Sequence, residues 1–137
     1  MKKLLFLAAT LMSFNCFAYT SITMNTDALL ETKPIFGYPT YSGRDGKRSA
    51  YCSVRMSAPN SSKETVLVPA GTKFFVTSVY IDVCPQDWGR RCELAVAARN
   101  HDGSIEMDLD CYHEGIFASR FTVDKVNRLV KNIAHVE

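Results

Sequence analysis

The stretch from Cys92 to Cys111 constrains the fold more than any other part of the chain. CELAVAAR, residues 92 to 99, puts Cys92, Leu94, Val96 and Ala98 on one face of an extended strand. SIEMDLDC, residues 104 to 111, puts Ile105, Met107, Leu109 and Cys111 on one face and Ser104, Glu106, Asp108 and Asp110 on the other. Between them lies Asn100-His101-Asp102-Gly103, and Asp-Gly is a strong hairpin signal. The pattern predicts an antiparallel hairpin with one face against a core and the other in water. Depending on the length of the turn, Cys111 sits opposite Cys92 or Leu94, and both cysteines face the core.

The stretch before it is also extended. TVLVPAGTKFFVTSVYIDV, residues 65 to 83, is dense in β-branched and aromatic residues and turns at Pro69-Ala70-Gly71. From Phe74 on, strict alternation gives one face Phe75, Thr77, Val79, Ile81 and Val83, and the other Phe74, Val76, Ser78, Tyr80 and Asp82. Both are largely apolar, so the strand reads as central. Residues 34 to 48, with Pro34, Gly37, Pro39, Gly43 and Gly46, read as a loop or a set of turns, and 57 to 63 as a second loop. FTVDKVNRLVKNIAHV, residues 121 to 136, changes to helical period. Thr122 is placed as N-cap, Asp124 suits the positive end of the dipole, and Val126, Leu129, Val130 and Ile133 form an apolar stripe. The expected fold is mainly β: a small antiparallel β-barrel with a C-terminal α-helix over its open end or edge.

Residues 1 to 18, MKKLLFLAATLMSFNCFA, have the layout of a secretory signal peptide: Lys2 and Lys3, an apolar run from Leu4 to Met12, then small residues before a cut after Ala18. The apolar run is too short for a permanent anchor. Cys16 follows Phe14 and Asn15, a poor match to a lipid-modified cysteine, and reads as part of the discarded segment. The expectation is a single exported domain, residues 19 to 137, in the periplasm or outside the cell, with no transmembrane segment once the signal is removed. The 16 basic and 14 acidic residues of the whole chain become 14 and 14 once Lys2 and Lys3 are gone. A neutral domain lacks the basic field that nucleic-acid binding requires.

Four cysteines then remain, Cys52, Cys84, Cys92 and Cys111. An even number in an exported chain predicts two disulfides. The short span from 84 to 92 points to Cys84–Cys92 with Cys52–Cys111, the pairing we prefer. The core-facing alternation points instead to Cys92–Cys111 with Cys52–Cys84. A Cys84–Cys92 bond would staple CPQDWGRRC into a nine-residue loop, where Trp88 beside Arg90 and Arg91 suits sugar stacking or carboxylate recognition. The plainer reading has Trp88 capping the barrel end with both arginines solvated. Tyr51 is placed with Trp88, Arg90 and Arg91 as a binding residue, and Tyr38 and Tyr41 are further candidates for the same groove.

Residues 52 to 79 carry Val54-Arg55, Ala58-Pro59, Ser61-Ser62 and Ala70-Gly71-Thr72-Lys73 in an order that resembles the first half of a bacterial SH3-like domain. Trp88 follows roughly where that family has Gly-Trp. Ala58 stands where a glycine is usual, the closing Gly-Trp-Val is missing, and 92 to 137 is longer than the family's end. The resemblance implies a small barrel that binds peptidoglycan or envelope proteins without catalysis.

Other constellations have plain alternatives. Cys111-Tyr112-His113 places a thiol near a base, but residues two apart on a strand lie about 7 Å apart and a structural disulfide accounts for Cys111 better. Asp102, Glu106, Asp108, Asp110 and Glu114 do not match a calcium loop and read as the wet side of the hairpin. Arg44, Lys47 and Arg48 read as a solvated basic turn. The three histidines show no metal spacing, and neither a metal nor a cofactor is expected. Two functions follow: a non-catalytic envelope binding module, or a secreted inhibitor of a foreign enzyme such as a lysozyme.

Overall fold

The computed structural model describes residues 19–32, 40–44, 50–82, 92–113 and 121–137. Among them run β1 (Ser21–Met24), β2 (Ala28–Glu31), β3 (Thr40–Arg44), β4 (Ala50–Ser57), β5 (Thr65–Val68), β6 (Lys73–Asp82), β7 (Cys92–Asn100), β8 (Glu106–His113), α1 (Val123–Val130) and β9 (Ala134–Val136). The alternating stretch forms the hairpin β7–β8. Its turn is held by the Gly103 amide donating to the Asn100 carbonyl at 3.1 Å and the Ile105 amide donating to Asn100 Oδ1 at 3.0 Å. Gly103 has φ 73°, the left-handed region that favours glycine. Leu94, Val96, Ala98, Ile105, Met107, Leu109 and Cys111 are all buried, as the alternation requires.

Seven strands build one antiparallel sheet in the order β3-β4-β8-β7-β6-β1-β9, and β2 pairs with β5 in a separate ribbon. The sheet curls into a half-barrel around a core that includes Ile22, Met24, Val54, Met56, Phe74, Leu94, Leu109, Val126 and Val130. Helix α1 touches β9 at one margin of the sheet and β3 and β4 at the other, so it spans the mouth of the half-barrel. Gly43 on β3 makes that approach possible: a Cβ there would lie 1.7 Å from the Leu129 carbonyl oxygen. Part of the stretch expected to be loop, residues 40–44, is thus an edge strand, and its glycine serves backbone packing.

Cys111 sits opposite Leu94 on β7 and Cys52 on β4. The two cysteines are bonded to each other, and both are fully buried. This is the preferred partner for Cys52, and it rules out the connectivity with Cys92–Cys111 and Cys52–Cys84. Cys92 is opposite His113, two register positions further along the ladder. Cys84 and the Cys92 side chain lie outside the described residues, and the Cys84–Cys92 bond with them.

Strand β6 is internal, between β7 and β1, but its two faces are not those of strict alternation. The register with β7 shifts between Val76 and Ser78, which leaves Thr77 as the extra residue of a bulge. Phe74 and Val76 lie on the core side. Beyond the bulge the phase reverses: Val79 and Ile81 pair with the buried Val96 and Leu94, though Ile81 itself is exposed near the strand end, and Tyr80 pairs with Ala95 on the outside. Tyr80 is 59% exposed.

The C-terminal helix is shorter than its periodicity suggests. Thr122 is the N-cap, its Oγ accepting from the Lys125 amide at 3.2 Å, and Asp124 lies in the first turn. The helix stops at Val130, and residues 134–136 pair with β1 instead. Ile133 is buried, but from the turn after the helix. The competing force is the open ladder of β1, whose buried polar backbone needs a partner. Asn127 fixes the change of direction: its amide donates to the Val136 carbonyl at 2.8 Å and accepts from the Val136 amide at 2.7 Å.

Candidate functional site

The outer face of the sheet can be read row by row. One row runs Tyr51 on β4, Tyr112 on β8 and Glu93 on β7. The next runs Ser53, Asp110, Ala95 and Tyr80, and the third Arg55, Asp108, Ala97 and Ser78. A fourth brings Ser57 to Glu106, Arg99 and Phe75. Directly opposed side chains on one face lie close enough to interact. Arg55 pairs with Asp108 at 3.1 Å and Arg99 with Glu106 at 3.0 Å, both exposed pairs of modest worth.

The first row carries an aromatic pair. The Tyr51 and Tyr112 rings have centroids 5.2 Å apart at an interplanar angle of 30°. Partial burial, then the charges of Asp110 and Glu93, then a hydrogen bond to Glu93 push the Tyr112 hydroxyl above its ordinary value. Asp110, beside it, is also raised. Desolvation is the largest cause and the Asp108 charge adds to it, against a smaller opposing pull from Arg55. Arg55 is engaged by Asp108, so among the described residues Asp110 and Glu93 add negative charge to this part of the face without an ion-pair partner.

Of the residues placed at the site by sequence, Tyr51 is here, partly buried on the outer face with Tyr112 as its ring partner. Trp88, Arg90 and Arg91 lie outside the described residues, as do Tyr38 and the Tyr41 side chain. The chain from 83 to 91 leaves β6 after Asp82 and enters β7 at Cys92, and these strand ends share one end of the sheet with Ala50 and His113. Tyr51, Tyr112 and Glu93 are therefore at the end from which the Trp88 segment departs.

Cys111 is disulfide-bonded and holds no thiol. His113, on the same side of β8, is buried: its ring meets Phe121 edge-on with centroids 6.4 Å apart, and its Nδ1 is 3.1 Å from Lys125 Nζ. The Cys111–His113 hydrolase arrangement is thereby excluded. In the acidic group, Asp102 is a turn residue, its Oδ1 accepting from the Ser104 amide and hydroxyl, which holds it below the usual carboxylate value. Glu106 and Asp108 are ion-paired, and Glu114, Lys47, Arg48 and the Arg44 side chain lie outside the described residues. Among the described residues no three of His, Cys, Asp and Glu converge as a metal site, and no helix is long and apolar enough to cross a membrane.

Sequence reasoning missed Tyr112, Glu93 and Tyr80. Tyr112 and Glu93 were within reach, because both fall on the polar phase of the hairpin; their adjacency to Tyr51 needed the β4–β8 register. Elsewhere, Leu29 and Leu67 face each other across the β2–β5 ribbon, both more than half exposed, with no polar group of the site beside them. Comparison of the chain with family models, curated proteins and solved structures finds no match.

Proposed function

We propose that this chain is an exported, non-catalytic envelope binding module that contacts peptidoglycan through the aromatic end of its sheet. The carrying observation is the Tyr51–Tyr112 pair, set on a rigid ladder beside Glu93 and Asp110 at the end where the Trp88 segment departs. Aromatic faces stack on sugar rings, and carboxylates accept from sugar hydroxyls and from amines. The buried Cys52–Cys111 bond supports an oxidising compartment, as does the leader-like stretch 1–18. The resemblance of 52–79 to SH3-like domains favours the cell wall as the partner.

Co-sedimentation of the oxidised domain with purified peptidoglycan tests this reading. Wild type is expected to pellet with the wall. Tyr51→Ala and Trp88→Ala are expected to weaken binding about tenfold each, the cost of losing one stacking contact and its burial. A wild type that stays in the supernatant would overturn the proposal. The carboxylates of Asp110 and Glu93 beside the tyrosine pair favour a second reading, inhibition of a basic foreign enzyme such as a lysozyme. Loss of lysozyme activity on titration with the domain, without wall binding, would establish it.

A further inference from the structure

Two strands along from Tyr51 on β4, the outer face carries a shallow trough along β7. Its floor is Ala95 and Ala97, whose methyl groups leave the backbone surface low. One wall is the exposed Tyr80 ring on β6, opposite Ala95. The other is Asp110 and Asp108 on β8, opposite Ala95 and Ala97. The walls stand two strand spacings apart, about 10 Å. That width admits a single extended chain.

The trough depends on a local departure from regular structure. Without the Thr77 bulge, Tyr80 would share the phase of Phe74 and lie on the other face of the sheet. The bulge turns it outward, where its ring is 59% exposed. The Thr77 hydroxyl donates to the Ala97 carbonyl at 3.1 Å, which ties the bulge to the trough floor. Bulges commonly re-aim a side chain at functional surfaces. The opposite wall is charged to match: Arg55 is ion-paired with Asp108, and its pull on Asp110 is weaker than the opposing effects of burial and the Asp108 charge. Glu93 adds a second negative charge two register positions along, in the row of the tyrosine pair.

We infer that this trough is a docking surface for an extended peptide bearing a primary ammonium group, the ammonium pairing with Asp110 and its aliphatic stem lying on Tyr80. An aromatic face and a carboxylate on opposite sides suit an alkylammonium, which is attracted by both. If the wall reading above holds, on which the identification of the natural ligand rests, that ligand is the diamino-acid stem peptide of peptidoglycan.

The test follows amide shifts of the oxidised domain by NMR during titration with trilysine and, separately, with trilysine acetylated on every amine. Trilysine is expected to shift Tyr80, Ala95, Ala97 and Asp110 in a saturable way that weakens with added salt. The acetylated peptide is expected to leave them unmoved. Asp110→Asn should weaken trilysine binding about tenfold, the loss of one charge-assisted contact. Ala95→Leu should block the trough with no change of charge. No saturable shift at these positions, or equal shifts with the acetylated peptide, would overturn the inference. The wall reading is judged separately, by sedimentation with intact and amine-acetylated peptidoglycan. Trilysine binding without sedimentation would leave the peptide trough standing and remove the wall as its source. Sedimentation insensitive to acetylation, with no trilysine shifts, would do the reverse.

Discussion

Gly43 and Asp110 show how single side chains set limits on this molecule, in opposite ways. At Gly43 the constraint is space. A methyl group would meet the Leu129 carbonyl, which is backbone and cannot rotate away. Gly43→Ala is expected to cost about 3 kcal/mol or more, since either β3 or α1 must shift. A denaturant midpoint close to wild type would show that the helix rides further from β3 than described. At Asp110 the constraint is charge. Its folded carboxyl holds a proton to higher pH than the unfolded one, so stability falls as pH rises through that window and stays lower at neutral pH. Asp110→Asn should therefore be more stable than wild type at pH 7. The gain should fade once pH drops below the ordinary carboxylate value of about 3.9, where both forms are neutral. Urea melts at pH 7 and pH 3 check the sign. An Asp110→Asn variant less stable than wild type at pH 7 would mean that the carboxylate has a favourable partner.

At the scale of elements, what was legible in the sequence is what depends on local pattern. The β7–β8 hairpin follows from alternation and Asp-Gly, and the start of α1 from Thr122 and Asp124. Where a strand elsewhere in the chain competes, local pattern fails. Helical period runs on to Ile133 and beyond, yet β1 draws 134–136 into the sheet, because an open ladder outweighs another turn of helix. Alternation in β6 fails at Thr77 for a similar reason: fitting a curled sheet against β7 needs one residue more than strict pairing allows. β1, β2 and β3 are short and carry little periodic signal, so their partners are set by the rest of the sheet. Asn127 joins the two competing elements. Asn127→Ala is expected to cost about 1–3 kcal/mol by leaving Val136 unpaired, with the loss seen first as faster amide exchange in β9. The Cys52–Cys111 bond links residues 59 positions apart, and chain-entropy reasoning puts its worth at about 4 kcal/mol. The Cys52→Ala, Cys111→Ala double variant should lose stability of that order. Non-reducing peptide mapping should find Cys52 and Cys111 in one linked species; a Cys111–Cys92 species would contradict the register.

Over the whole molecule, the candidate site was half legible. Tyr51 and the polar phase of the hairpin could be picked out singly, but their assembly is a property of the ladder. Tyr51 meets Tyr112 through the β4–β8 register, and Glu93 joins them through β7–β8. Across the barrel, Ser21 and Lys73 reach the Glu137 carboxylate at 3.0 Å each and hold it below its ordinary value, with the Lys73 hydrogen bond the largest cause. The group is exposed, so this clasp is one that salt should loosen.

The placement of β1 between β6 and β9 also orders events in time. The first strand of the described chain finds its second neighbour only in residues 134–136, more than a hundred positions away. Contacts of such separation form late and slow the closing of a sheet. The half-barrel is thus incomplete at β1 until the last strand has been made. A chain with that topology stays open while it is being synthesised and locks only when residues 134–136 arrive to pair with β1.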